Sequence, residues 1–525
     1  MSRGSYSLTP FKSKYKLMNR LPAPERFMKT VKIWADEAIW GHRFYNDQTP
    51  WLVFLEFLGV FRSRHEDGRA LNEFREPEGH ESIEYTIPRL IPLRELIFNN
   101  PHVQYINEEV GTIASEKWST WYKMMNVDYD FKFLKNRFEN FSEYTHVIEY
   151  LQNTSIEPHR KRRWTSRFIF PYGPDCLFAD LPVNPKGSPD RRFFSRGGEL
   201  LYLMLCRSGD GPEVAELINE RLLKSDNIWN QVAKIALISD DYRSERHVIS
   251  SRIGYLPYPE RKEYKALANS MKRILKLDIP STAMFDPMVR LSSLHMLIYM
   301  LRRANEEIGD ATEPIFVLEI AAPRKTSLFE ISSDSLQANN MASLRAVRAH
   351  IKNVKNESGW INAIDQRSPS RAVHDFLKQR FSWEPEGAED RDPERIFSEI
   401  LSYAESRHLQ HVAKVHSEWT RQIGLTVARR GVGKCYSPTD SLLKALVMCT
   451  VEGPREEYHR FLSSLYKRFR IVIAAPEAEQ AFGHLPTDQH VFTQNAQRLE
   501  QRLSTLGLLR RLSDDCAYVE NPFRR

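Results

Sequence analysis

The sequence predicts a mainly α, multidomain chain with a small α+β middle portion and a C-terminal winged-helix-like module. Three observations carry this. Apolar residues recur at helical spacing through most of the chain. Credible strands are few and short: residues 314–320 (PIFVLEI), with 328–331 as a possible partner, and 471–474. Residues 436–525 run helix, helix, strand, helix, hairpin, which is the order of a winged helix.

At about 100–200 residues per domain, the 525 residues make roughly three or four units. The expected boundaries are a basic arm over 1–32, a helical domain over 33–170 and a middle α+β domain over 171–383. An acidic linker over 384–393 and a C-terminal helical domain over 394–525 follow, the module beginning at about 436.

The elements follow in order. Phe27, Val31, Trp34 and Ala38 give a helical spacing over 25–40. Residues 66–81 are rich in Gly, Pro and charge and read as a loop. Residues 171–198 hold five prolines and four glycines, which excludes regular structure. Apolar helices are expected over 198–206 and 214–223, separated by the turn SGDGP, and a long buried one over 286–303. Ala342, Ala346 and Ala349 favour a helix over 341–356. Asp440 is placed to cap a helix reaching Val451, and residues 456–469 form the next. Thr493 is placed to cap a third, with Ala496, Leu499, Leu503 and Leu506 at core spacing and Gly507 ending it. Residues 508–512 and 517–519 flank the turn SDD as a hairpin.

Charge is unevenly placed. Lys+Arg is 75 and Asp+Glu 68, a net charge of +7. Residues 1–32 hold eight cations and Glu25 alone, so the arm carries the whole excess. Tyr6, Phe11 and Tyr15 lie among those cations, a mixture that suits phosphates and stacked bases, or an acidic partner surface. A second cluster is Arg160, Lys161, Arg162 and Arg163. A third is Arg345, Arg348, Lys352 and Lys355, spaced i, i+3, i+7, i+10 on one helix face with no acid between them. A phosphate backbone, an acidic partner or solvent would relieve that repulsion. The outward face of the last helix offers Gln494, Asn495, Gln497, Arg498, Gln501 and Arg502, side chains suited to groove contact.

No stretch approaches the ~20 apolar residues of a membrane helix, and the first twenty residues lack the apolar core of a secretory signal. A soluble, cytoplasmic protein is expected. The five cysteines are widely spaced without a CxxC, so neither a disulfide framework nor a thiolate zinc site is encoded.

Catalytic motifs are mostly absent, and no catalytic residue, metal or cofactor is expected. The segment RGVGKC (430–435) resembles a phosphate loop but has Ala428 where the first glycine belongs and Cys435 where the metal-binding hydroxyl belongs, so a turn is expected. His408, His411 and His416 lack the spacing and glutamate of a zinc protease and read as a solvated helix. Glu319, followed by Arg324 and Lys325, is the nearest approach to a metal-dependent nuclease core, with its lysine out of place and Asp310 as a remote second carboxylate. Arg191, Arg192, Arg196, Gly197 and Gly198 lead into a helix whose free N–H groups suit an anion, which Glu199 would oppose; a plain loop-to-helix junction is the alternative.

Two stretches, RRFFSRGGELLYLML (191–205) and the tail from YSPTDSLLKALV (436–447) through LGLLRRLSDDCAYVENPF (506–523), resemble segments of accessory proteins from multigene bacterial anti-phage defence systems. The tail is similar to end domains of large proteins that accompany ATPases or methyltransferases. The resemblance implies a non-catalytic subunit of a DNA-directed assembly and assigns no site residue. The leading expectation is an accessory subunit binding DNA, a partner ATPase or methyltransferase, or both. A protein–protein scaffold without DNA contact and a divergent metal nuclease centred on Glu319 stay open.

Overall fold

The structure, a computed structural model, describes residues 21, 31–41, 44–74, 83–88, 91–97, 100, 102–109, 114–125, 129–153, 173–177, 196–224, 226–237, 239, 246–251, 255–310, 312–320, 325–384, 391–429, 431–513 and 516–524. In chain order, α1 (Ala35–Trp40) and α2 (Pro50–Glu66) precede strand β1 (Ile83–Pro88). The short helices α3 (Ile91–Ile97), α4 (Val103–Glu109), α5 (Ala114–Met125) and α6 (Phe141–Asn153) come next. Then come α7 (Gly197–Cys206), α8 (Gly211–Arg221), α9 (Ile228–Leu237) and β2 (Arg246–Ser251), which pairs antiparallel with β1. Helix α10 (Lys262–Leu275) follows, then the two longest described helices, α11 (Ser281–Ile308) and, after the two-residue strand β3 (Phe316–Val317), α12 (Ser327–Asn353). The molecule is predominantly helical, as the periodicity predicts.

Residues 328–331, read from sequence as a possible strand, are instead the first turn of α12. Thr326 caps that helix, its hydroxyl accepting from the Phe329 N–H at 3.2 Å. The true partner of β3 lies far along the chain. After α13 (Ser358–Ile364), α14 (Pro369–Phe381), α15 (Pro393–His411) and α16 (Val415–Gln422) come the hairpin strands β4 (Thr426–Arg429) and β5 (Gly433–Tyr436), then α17 (Asp440–Thr450), β6 (Arg455–Glu457) and α18 (Tyr458–Phe469). Strand β7 (Ile471–Val472) then runs parallel to β3, pairing Phe316 with Ile471. The chain closes with α19 (Ala475–Phe482), α20 (Gln489–Thr505), β8 (Leu509–Ser513) and β9 (Cys516–Glu520), the last strand central in a sheet ordered β6-β9-β8.

Caps at the C-terminal end sit one or more residues from their expected places. Thr439, not Asp440, caps α17, and Asp488, not Thr493, caps α20, whose first turn reaches back beyond the leucine spacing. The hydroxyl or carboxylate must precede the first helical N–H groups it satisfies, and in each case an earlier side chain reaches them.

One large apolar core draws on residues from Ile33 to Val519. A second, aromatic cluster is built from Trp118, Trp121, Phe141 and Tyr144 and their neighbours on α3–α6, with Cys176 and Leu237. The densest helix pair of the main core is α2 against α7. Both are apolar around their circumference, as a helix buried on all sides must be. Helix α1 is clasped by segments distant in sequence. The Trp40 indole donates to the Met300 carbonyl (2.9 Å), Tyr299 Oη to the Trp40 carbonyl (2.8 Å) and Arg303 Nε to the Ile39 carbonyl (3.0 Å). On its other side His408 Nδ1 meets Asp36 Oδ1 at 2.6 Å, and the Trp419 indole donates to the Gln48 carbonyl at 2.8 Å.

Among the described residues no helix is long and apolar enough to cross a membrane. Cys206 and Cys449 are buried and form no disulfide.

Candidate nucleic-acid interface

Helix α20 is fixed from below. Of the predicted core positions Leu499 and Leu503 are fully buried, Ala496 is buried and Leu506 partly so, and Phe492, outside that set, is fully buried as well. Asn495, which the sequence places on the outward face, is instead completely buried. Its Nδ2 donates to the Leu318 and Ile473 carbonyls, both at 2.9 Å, and its Oδ1 accepts from the Ile320 N–H at 2.8 Å. One amide side chain thus satisfies three backbone groups that extend the short β3–β7 pair, a use that alternation and charge cannot signal. The outward face that remains carries exposed Gln497 and Gln501 and partly covered Arg498 and Arg502. Arg498 donates to Gln494 Oε1 at 3.3 Å, and Arg502 pairs with Asp440 at 2.7 Å. Beside them, β8 exposes Arg510, Arg511 and Leu512, with Arg511 held by Glu500 at 3.0 Å and Leu512 54% exposed. Residues 514 and 515 of the expected turn lie outside the described residues.

The helical stripe is less free than its spacing suggests. Arg348 is engaged by both Glu405 oxygens at 2.8 and 2.9 Å. Lys355 pairs with Glu394 at 2.6 Å and lies 4.2 Å from the centre of the Phe397 ring. Both carboxylates come from α15, so the absence of an acid within the stripe's own helix does not leave all four cations uncompensated. Lys352 and Arg345 stay exposed, Arg345 donating to the Ala338 carbonyl at 3.2 Å. Arg160, Lys161, Arg162 and Arg163 lie outside the described residues, as does nearly all of the 1–32 arm. Of the arm, Leu21 and Val31 are buried against Trp34, Ala38 and Tyr255.

The segment read as an incomplete phosphate loop is the β4–β5 hairpin, paired Ala428 to Lys434 and Arg429 to Gly433. Its root is buried at Cys435 and Tyr436, and its outer half is exposed. Tyr436 is the anchor. Its N–H donates to Ser332 Oγ at 3.0 Å, and its carbonyl accepts from the Glu319 N–H at 2.9 Å. Its phenol accepts from Asn339 at 2.9 Å and meets His416 Nε2 at 3.1 Å. Burial pushes the His416 imidazole down to about 3. The ring is therefore neutral, with Nδ1–H donating to Asn340 Oδ1 at 2.6 Å and Nε2 accepting from Tyr436. Glu319 is fully buried and spends its carboxylate on Arg429 of the same hairpin. That pair accounts for Glu319 by packing and charge. Among the described residues no group of three or more His, Cys, Asp or Glu side chains is placed to hold a metal ion.

The histidines read as a solvated helix face are largely buried. His408 is 0% exposed, and its ring links Asp36 on one nitrogen to Ser343 Oγ on the other, at 2.6 and 3.0 Å. The order acid, imidazole, hydroxyl matches that of a serine hydrolase relay. Ser343, however, is buried in the middle of α12, where the helix consumes the neighbouring backbone N–H groups that an oxyanion would need. The trio ties α1, α12 and α15 together.

The glycines 197 and 198 do not hold a ligand either. The anion at the N-terminus of α7 is the chain's own Glu56, fully buried on α2. Its carboxylate accepts from the Gly198 N–H at 2.8 Å and the Arg196 N–H at 3.2 Å, and is steadied by Gln48 Nε2 at 2.8 Å. Glu199 points elsewhere, accepting from Tyr85 Oη at 2.8 Å. No family model matches this chain, and no curated protein matches it.

Proposed function

We propose that the protein is a non-catalytic, DNA-binding accessory subunit of a multiprotein assembly, in which residues 436–525 act as a winged-helix module. The observation that carries this reading is the element order α17, β6, α18, α20, β8, β9 with sheet order β6-β9-β8, in which β6 is the first strand and β8–β9 the wing. Strand β7 and helix α19 are an insertion between the second and third helices, tethering the module to β3. In this reading α20 faces the groove, Gln501 and Gln497 reach base edges, and Arg498, Arg502 and Arg510 contact phosphates. Arg345 and Lys352 are further phosphate contacts, with Arg348 and Lys355 reserved for α15.

The test is fluorescence anisotropy of the full chain with a labelled duplex over a salt series. The expected result is an affinity that falls steeply with salt, and a lower affinity with a shallower slope for an Arg498→Glu, Gln501→Glu double variant. Absence of duplex binding at low salt sinks the proposal. A second reading, a protein scaffold, is favoured by Ile228, Val232 and Ile235, which recur on α9 as an exposed apolar stripe. In that case partner binding survives nuclease treatment and the double variant changes nothing.

A further inference from the structure

We infer that the β4–β5 hairpin is a second DNA-contact element, laying Lys434 and its glycine-lined tip against the phosphodiester backbone of a duplex addressed by α20. The inference rests on the DNA-binding reading above and adds a surface that the winged-helix order does not include.

The hairpin sequence TVARRGVGKCY holds three cations and no acid. Of these, Arg429 is committed to Glu319 and also lies over the Phe329 ring at 5.8 Å. Lys434 is exposed on the opposite face, paired across to Ala428, with no ion pair among the described residues. Gly431 and Gly433 both have positive φ, +75° and +119°. Glycine there leaves the backbone N–H groups unscreened by side chains, so a phosphate oxygen can approach the main chain closely. Val427 and Val432 are 36% and 39% exposed, so the outer half contributes little to the core and its shape is not explained by packing.

Two-stranded ribbons are marginal by themselves. This one is held at its root by Tyr436 and, at Arg429 next to the turn, by the buried Glu319 carboxylate, so its two strands have little ordering left to lose on binding. Its position relative to α20 is fixed by one strand segment. The Glu319 N–H bonds the hairpin at the Tyr436 carbonyl, and the next N–H, of Ile320, bonds Asn495 on α20. Arg498 is one helical turn beyond Asn495. The outer half of the hairpin lies by Phe329 at the start of α12, and Ser327 there bonds Thr487, just ahead of α20, at 2.9 Å, so a polyanion reaching that end of α20 meets a charge of complementary sign.

The experiment compares the wild-type full chain with Lys434→Glu, Lys434→Arg and the α20 variant Gln501→Glu, by anisotropy on a labelled duplex at several salt concentrations. Thermal melts of each variant serve as a fold control. Lys434→Glu is expected to weaken binding about tenfold at moderate salt and to lower the salt slope by about one, while Lys434→Arg keeps both. If the wild type binds and Gln501→Glu weakens it, but Lys434→Glu matches wild type in affinity and slope, the hairpin inference is overturned and the module reading stands. If the wild type binds no duplex, both fall.

Discussion

Two arginine-flanked glycine segments, Arg196-Gly197-Gly198 and Gly431-Val432-Gly433-Lys434, look alike as sequence and end in opposite surroundings. The first is walled in at the head of α7, its N–H groups taken by Glu56 and Gln48. The second turns into solvent at the end of a ribbon. The glycines serve different ends. A Cβ on Gly198 would lie 2.4 Å from the Phe57 nitrogen and 2.6 Å from Glu56 Cβ, so residue 198 is small because two helices touch there. Gly433 has nothing nearer than the Phe329 ring at 3.6 Å and is glycine for its φ. Glycine beside arginine thus announces a bare backbone. What occupies that backbone depends on a residue 142 positions away in one case and on an outside molecule in the proposal for the other.

The contrast can be broken in order of expected effect. Gly198→Ala should destabilise the fold by about 3 kcal/mol, because the clash is with main chain that cannot swing aside. A urea titration that showed no loss would mean α2 and α7 are not in contact. Glu56→Ala should cost about 2–3 kcal/mol by stranding buried N–H groups and the Gln48 amide, with Glu56→Gln intermediate; equal melting curves would free that helix end for a ligand after all.

Acid probes the anchor of the exposed ribbon. His416 has a folded pKa of about 3, below its ordinary 6.5, so protons favour the unfolded state. Its contribution is complete above pH 6.5 and is lost as pH falls through that window toward 3, at up to about 1.4 kcal/mol per pH unit. His295, buried and likewise lowered to about 3, adds in the same direction. His416→Gln should flatten part of the slope in denaturant melts between pH 4 and 6.5, and an unchanged slope would remove the imidazole from the anchor. Last, Lys434→Glu should leave stability within about 0.5 kcal/mol of wild type; a larger loss would show the hairpin tip to be part of the fold.

Much of the C-terminal order was legible because its signals are local. Ala496, Leu499 and Leu503 share one face, Gly507 has φ +68°, and a short polar turn separates the two strands of the hairpin. The stripe was legible in part: Arg345, Arg348 and Lys352 share α12, while Lys355 lies in a 3-10 turn just past its end at Asn353. Its partners were not, since Glu405 and Glu394 arrive from a helix that begins 40 residues beyond the end of α12. His408 looked solvated because its neighbours on α15 are polar; only the arrival of Asp36 and Ser343 makes its burial tolerable. Asn495 was placed outward for the same reason. A polar side chain that satisfies distant main chain carries no periodic mark, and the tertiary contact overrides the local pattern.

The grip on α1 sets a timetable for the growing chain. Trp40 waits for Met300, Asp36 for His408 and Gln48 for Trp419, a longest separation of 372 residues. At translation rates of about 5–20 residues per second, Asp36 and Trp40 emerge from the ribosome about 20–70 s before His408 exists. Slowed synthesis of residues 300–420 should therefore lower the yield of folded protein more than the same delay placed after residue 420.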